Sequence, residues 1–421
     1  MPLKDDWEDG DTFHGSDWND VVTRLAIPAL PNAADVEAVT SAGTVSVVAN
    51  SYTTTISSGV LAATMIGTPS RIGKIGTTLT NAVTIASTFV GPGWKEDYAA
   101  GTFGSAISSS WAADIWVSGS RYVEFIIGRS DLTNTLTASY RVWVDGKKKT
   151  DLPVTTGFGT SGQPATIKVD FGVGNTKPHR VKLDMFGIAL SDIWTEANGV
   201  VWAANPTGPR LFVLGPSLEQ GTAGPERHTG GELGTWFPRF ANLVGITDWW
   251  NGSEGGTGPF TDSPAGNFHD YVTRVTSTVV PADPDILIIG TWINDQGAGR
   301  TGAQIAADYG TAIDTVRASA LGDIPIIVMG GIDSAAPTNT ASMTAIDNLV
   351  KPVCITKGAA FVSGVTGEVV GFDGSVLATT HPWINSANKS IYISADNLHP
   401  TDAGQEYIAY MMREAWKVIW N

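Results

Sequence analysis

The stretch Leu211-Phe212-Val213-Leu214-Gly215-Pro216-Ser217-Leu218-Glu219-Gln220-Gly221 is a four-residue apolar run that breaks at a Gly-Pro turn and then presents a serine. So short a run, closed off by Gly and Pro, reads as a strand buried on both faces rather than as a helix. Two further runs of this kind follow, Ile286-Leu287-Ile288-Ile289 and Ile324-Pro325-Ile326-Ile327-Val328-Met329. Helical periodicity is expected over residues 233–244, 301–319, 339–351 and 402–417. Buried strands alternating with helices predict an α/β three-layer unit with a parallel sheet, whose site forms at the C-terminal strand ends. Ser217 stands at the end of the first such strand, so it is the first residue to consider for chemistry.

Upstream the pattern changes. Residues 122–127, 139–144, 165–171 and 179–185 alternate apolar and polar in the strand manner, and Asp145-Gly146 after the second is a hairpin signal. Residues 90–205 are therefore expected to form an antiparallel β-sandwich. Lys147, Lys148 and Lys149 at the hairpin tip read as a solvated turn, or more sharply as a contact for an acidic glycan. Residues 38–70 carry no charge and are rich in β-branched residues. An exposed edge of that kind invites pairing, and packing against copies of itself is the favoured expectation for it. Ser16 caps a short helix over residues 16–25, with Trp18, Val21, Val22 and Leu25 on one face and Pro28 and Pro31 beyond its end. The expected division is 1–32 as an attachment segment, 33–89 as an oligomerisation segment, 90–205 as an accessory sandwich and 210–421 as the α/β domain.

Composition supports a multidomain reading. At roughly 150 residues per domain, 421 residues make two or three. Gly at 48 residues and a charged fraction of 16% favour turn-rich β-structure over a helical bundle, and 15 Trp residues suggest stacking surfaces. With 26 basic against 41 acidic residues, the net charge of −15 argues against nucleic acid and anionic membranes as partners. One cysteine, Cys354, excludes an internal disulfide framework and a multi-Cys metal site. No apolar run reaches the ~18 residues of a membrane span. The opening Met1-Pro2-Leu3-Lys4-Asp5-Asp6-Trp7 has no apolar core of a secretory signal. Action outside a cell would then require lysis or carriage in a larger particle.

Four fragments stand in order at strand ends: 215–221, 251–258, Gly290-Thr291-Trp292-Ile293-Asn294-Asp295, and Asp396-Asn397-Leu398-His399-Pro400. A serine hydroxyl needs a base to become a nucleophile, and the base needs an acceptor on its other ring nitrogen. Asp396 and His399 are three residues apart, so one turn can supply both. A tetrahedral oxyanion needs donors, and the N–H groups of Ser217 and Gly255 with the Asn294 amide can provide them. Asp295 reads as a structural acceptor. His381 and His228 are expected on loops that border the pocket. Trp249 and Trp250 read as core, with a sugar-stacking role as the sharper alternative. No His/acidic cluster indicates a metal, and no cofactor is expected.

These fragments resemble the four blocks of the SGNH (GDSL-type) hydrolases over residues 211–421. The resemblance implies a flavodoxin-like α/β fold and a serine esterase with Ser217 as nucleophile, His399 as base and Asp396 as its partner. It makes Ser217, Gly255 and Asn294 the oxyanion donors; Trp292, which could narrow the site or offer a stacking face, Trp250 and Gly256 are the residues expected to contact substrate. Residues 400–404 also match the family. Two positions depart from it. Pro216 replaces an Asp, which removes an N–H and biases Gly215 toward extended backbone. Trp292 stands where the third block has Gly. In several carbohydrate esterases of the family a β-sandwich precedes the hydrolase domain, as residues 90–205 do here.

Residues 5–21 resemble the opening of minor tail proteins of phages infecting actinobacteria. That resemblance implies a virion location, other tail proteins as partners and a homotrimer. The function expected from the sequence is removal of acyl groups, acetyl foremost, from host-surface glycans. A receptor-binding tail protein with an inactive hydrolase fold is the alternative. A bacterial glycan deacetylase unconnected to phage shares the chemistry.

Overall fold

The computed structural model describes residues 44–49, 60–61, 65–66, 110–129, 139–149, 164–186, 188–196, 199–203, 208–220, 235–263, 269–333 and 340–420. The helix expected at residues 16–25 and His228 lie outside the described residues.

The N-terminal strands are β1 (Thr44–Ala49), β2 (Val60–Leu61), β3 (Met65–Ile66), β4 (Ser110–Ser118), β5 (Tyr122–Arg129), β6 (Ser139–Val144), β7 (Lys147–Lys148), β8 (Pro164–Asp170), β9 (His179–Phe186), β10 (Ile188–Thr195) and β11 (Val200–Ala203). They form two sheets, ordered β1-β8-β5-β10-β2 and β3-β11-β4-β9-β6-β7. Alternation drives them: Val123 and Phe125, Val142 and Val144, Ile167 and Val169, Val181 and Leu183 are all buried. Asp145 at φ 53° and Gly146 at φ 78° make the β6–β7 turn, whose two left-handed residues suit the strand twist. The uncharged stretch contributes strands to both sheets. Its strand β1 pairs antiparallel with β8 of the same chain, and β2 pairs with β10. Both are edge strands of the first sheet, each paired on one side within the chain.

The C-terminal half is one sheet of β12 (Arg210–Leu214), β13 (Asp248–Asn251), β14 (Ile286–Ile289), β15 (Ile326–Met329), β16 (Ala360–Val362), β17 (Glu368–Val370) and β18 (Val376–Thr379). Its order is β13-β12-β14-β15-β16-β17-β18. The first five strands run parallel, and β17 and β18 are antiparallel additions. The helices are α1 (Ser217–Gln220), α2 (Trp236–Leu243), α3 (Tyr271–Arg274, continued by a π-helical turn Val275–Val279 and by Val280–Ala282), α4 (Ile293–Gly297), α5 (Gly302–Arg317), α6 (Thr340–Thr356), α7 (Lys389–Tyr392) and α8 (Asp402–Ile419).

The central strands β14 and β15 are apolar throughout and buried, because both faces of the sheet are covered there. Leu211, Val213, Ile286 and Ile288 pack with Trp236, Phe240, Ile408, Met412 and Trp416 of α2 and α8. Phe212, Leu214, Leu287 and Ile289 pack with Tyr271, Val275, Ile305, Tyr309 and Ile313 of α3 and α5. Each such side chain contributes about 2 kcal/mol of burial. The parallel order 2-1-3-4-5 reverses direction at the first strand, leaving a crevice between the C-terminal ends of β12 and β14. Lys182 of β9 reaches this half, donating to Thr247 O at 2.8 Å, with Nζ 5.5 Å from the Trp249 ring.

Candidate active site

The strand β12 is buried along all five residues and delivers Gly215, Pro216 and then α1 into that crevice. Pro216 fits this position. Its carbonyl accepts from Gln220 N at 2.9 Å, starting the turn, and a helix start has no use for its missing N–H. Pro216 therefore does not displace Ser217 from the crevice. Ser217 Oγ lies 2.8 Å from His399 Nε2.

The base comes from the loop before α8. Asn397 at φ 60° turns the chain sharply, so Asp396 and His399 face each other with His399 Nδ1 2.7 Å from Asp396 Oδ2. The other oxygen, Oδ1, accepts from Ser394 Oγ at 2.6 Å and from the N–H groups of Leu398 and His399, both at 2.9 Å. Burial alone would raise the Asp396 pKa, but the hydrogen bonds from Ser394, His399 and Leu398 outweigh it and hold the carboxyl well below the usual range. An ionised carboxylate only accepts, so Nδ1 carries the proton and Nε2 is left to take one from Ser217. Acid must go far below the ordinary carboxylate range before this acceptor is lost.

Residues 400–404 lock the loop to the helix. Thr401 Oγ1 caps α8 by accepting from Gly404 N at 3.0 Å and donates to Ile391 O at 2.8 Å. A Cβ on Gly404 would fall 2.0 Å from Tyr392 O, so only glycine allows this approach. Gln405 then accepts from Trp236 N at 2.7 Å and donates to Leu218 O at 3.3 Å, joining α8 to α2 and to the nucleophile turn.

The expected oxyanion donors are partly engaged. Ser217 is the first residue of α1, where a helix N–H has no acceptor within the helix. Asn294 donates from Nδ2 to Thr257 O at 2.8 Å, which uses one of its two amide hydrogens. Gly255 N donates to Gln220 Oε1. As a donor to substrate Gly255 must exchange that partner, which its sequence position did not reveal. Gly256 beside it has φ 78° and is half-buried.

The two tryptophans do not offer open faces. Trp292 is fully buried, with Nε1 donating to Asp347 Oδ1 at 3.1 Å, and it walls a small pocket with Leu218, Thr291, Ile293, Gly331 and Ile332. Trp250 is packed under the Arg210 guanidinium, 4.1 Å from its ring, and donates to Asp248 Oδ1 at 2.9 Å. Trp249 and Trp250 are core, as expected, and the enclosed rings of Trp250 and Trp292 present no open face to a sugar. Asp295 is a structural acceptor for Phe260 N, Thr261 N and Thr261 Oγ1 at 3.0–3.1 Å. His381 is exposed, 3.2 Å from Tyr407 OH. Among the described residues no group of His, Cys, Asp and Glu could hold a metal.

Sequence reasoning missed Arg274. Its guanidinium is buried and donates to Gly252 O at 2.6 Å, Gly215 O at 3.2 Å, Thr257 Oγ1 at 2.8 Å and His269 O at 2.9 Å. One side chain thus fixes the nucleophile turn against the loop carrying Gly255 and Thr257. Its partners lie 5, 17, 22 and 59 residues away in sequence, and no motif marks such a reach. Arg274→Met is expected to leave these acceptors buried without a donor and to cost about 3 kcal/mol or more. Chemical denaturation checks this, and an unchanged midpoint would contradict the role.

No protein-family model matches the chain, and no curated protein matches it. Solved structures do. A family two carbohydrate esterase from Cellvibrio japonicus matches with a TM-score of 0.50 at 14% identity, over 90% of this chain and 98% of that one. A family two carbohydrate esterase from Clostridium thermocellum, in complex with cellohexaose, gives 0.49 at 14% identity over 75% and 94%. A salicylyl-acyltransferase from a tetracycline biosynthetic pathway gives 0.48 at 13% identity over 73% and 81%. At these identities the likeness is one of fold, and the chain has an SGNH-type hydrolase fold.

Proposed function

We propose that this chain is a serine esterase that removes short acyl groups, acetyl foremost, from glycans. The observation that carries the reading is the unbroken chain from Ser217 Oγ through His399 to Asp396, at 2.8 and 2.7 Å, at the sheet's crevice. In this mechanism Ser217 Oγ attacks the acyl carbon while its proton passes to His399 Nε2. Asp396 stabilises the imidazolium through Nδ1–H. The Ser217 N–H, the second Asn294 amide hydrogen and Gly255 N–H, once released from Gln220, receive the oxyanion. Collapse breaks the ester bond, and Nε2 returns the proton to the departing sugar hydroxyl. Water, deprotonated by Nε2, then attacks the acyl-enzyme and frees the carboxylic acid and Ser217.

The small pocket next to α1, with Leu218, Trp292, Ile293 and Ile332 in its wall, favours a short acyl chain. The carbohydrate class is supported by the Cellvibrio japonicus enzyme, whose name it carries. Incubation with chemically acetylated xylan or a bacterial acetylated polysaccharide is expected to release acetate, and no release from any acetylated glycan tested would remove the substrate class. The bond from Gly255 N to Gln220 favours the second reading, a glycan-binding protein without turnover. Glycan binding with an unreactive Ser217 would establish it.

We place the activity on a phage tail, acting at the host surface. The support is the resemblance of residues 5–21 to tail-protein openings. In this organisation 1–32 attach to the virion beside other tail proteins, 33–89 assemble a homotrimer, 90–205 are an accessory glycan-binding unit and 210–421 hydrolyse. Antibody against the chain should decorate purified virions, and its absence from them would end that placement.

A further inference from the structure

We propose that Glu219 is a positioning residue for Ser217, a buried carboxylic acid wedged between the turn bearing Ser217 and the end of β14. This rests on the esterase reading. Glu219 lies two residues after Ser217 on the same helical turn and is fully buried. Its side chain folds back into a slot between Gly215, at the end of β12, and Gly290, at the end of β14. A Cβ on Gly215 would fall 2.7 Å from Glu219 Oε2, and one on Gly290 would fall 2.8 Å from Oε1 and 2.9 Å from Gly215 Cα. The two glycines are therefore shaped around this carboxyl, and any larger residue at either would expel it.

The surroundings fit an acid, not an anion. Neither carboxyl oxygen closes a hydrogen bond among the described residues. Burial pushes its pKa up to about 8, against the weaker pull of the Glu219 and Thr291 amides and of Arg274. From α3, Arg274 and Tyr271 face it; from α5, Tyr309 does. Arg274 is occupied by its four acceptors. Tyr271 and Tyr309 are driven up by burial and stay neutral, with their hydroxyls donating to Thr291 O at 2.7 Å and Gly290 O at 2.5 Å. Those two bonds hold the β14 side of the slot, and Asn251 Nδ2 holds the Glu219 carbonyl at 2.8 Å. Pro216 offers no polar side chain here, and the Glu219 carboxyl fills the slot beneath the turn by packing against Gly215 and Gly290.

The linkage has a definite sign. A folded-state pKa raised above the ordinary carboxylate value contributes stability that is fully present below that ordinary value and is lost as pH rises through about 8. Ionisation places a charge among glycine backbone, so the turn bearing Ser217 must shift as the stability falls.

The test compares wild type, Glu219→Gln and Glu219→Ala from pH 5 to about 9.5, reading melting temperature and kcat/KM for a short-chain nitrophenyl ester. Glu219→Gln keeps the shape without the charge. It is expected to retain neutral-pH turnover and to flatten the alkaline fall of both readouts. Glu219→Ala empties the slot and is expected to lose about 10²-fold in kcat/KM, the cost of misplacing a reacting group by about 1 Å. A Gln variant with the wild-type alkaline fall overturns the proposal, as does an Ala variant with wild-type kcat/KM. Melting is read without substrate. A flattened Gln melting profile with no ester turnover in any variant would sink the esterase reading while supporting the buried-acid clamp.

Discussion

Ser217→Ala should lower kcat for a short-chain nitrophenyl ester by about 10⁴-fold or more, with folding intact. The size follows from the role of the atom removed. In the proposed mechanism Oγ is the attacking group, and it stands 2.8 Å from His399 Nε2. Without it no acyl-enzyme forms, and only the oxyanion donors and the pocket remain to assist direct attack by water. Stability should change by less than about 1 kcal/mol, because the deleted oxygen leaves no large cavity. Circular dichroism and a melting curve check the fold, and steady-state kinetics check the loss. Turnover within tenfold of wild type, on the order of 1.4 kcal/mol of barrier, would remove Ser217 from the mechanism.

Asp396→Asn should cost about 10⁴-fold in kcat, through the tautomer of His399. The argument is specific to this loop. Ser394 Oγ and the N–H groups of Leu398 and His399 all donate to Oδ1, so an Asn side chain must keep its oxygen there. Its NH2 then faces Nδ1. A donor at that position forces Nδ1 to accept and moves the ring proton to Nε2, where it blocks the transfer from Ser217. The lesion is electronic and leaves the geometry in place, so the melting temperature should fall little. A loss of less than about tenfold would mean that His399 is not oriented by Asp396.

Much of this site was legible because its signals are local. Asp396 and His399 are three residues apart on one turn, so spacing alone placed both on the same rim. The strands β12 and β14 were readable as apolar runs because helices cover both of their faces. The helix following His399 was readable from its periodicity, and the structure adds the Thr401 cap. What escaped depends on long-range packing. Arg274 gathers acceptors from three separate loops, and nothing near it in sequence foretells them. Glu219 carries no local signal, and only the meeting of Gly215 with Gly290 shows that it is enclosed. Trp292 was misjudged because sequence cannot say which way a ring turns; the buried Asp347 carboxylate draws its N–H inward. For β1, an uncharged strand is equally content with a partner in its own chain or in another, and β8 supplies the register from within.

The Gln220–Gly255 bond and the Ser217–His399 bond pull toward opposite conclusions about turnover, one occupying an oxyanion donor and the other arming the nucleophile. Both are probed at once by a fluorophosphonate, which reacts only with a serine deprotonated by its base and places its phosphoryl oxygen among the oxyanion donors. Mass spectrometry of the treated full-length chain should show a single adduct, mapped to the peptide containing Ser217 and missing from His399→Ala. An intact Ser217 after prolonged exposure, in protein that still melts cooperatively, would contradict a catalytic serine here.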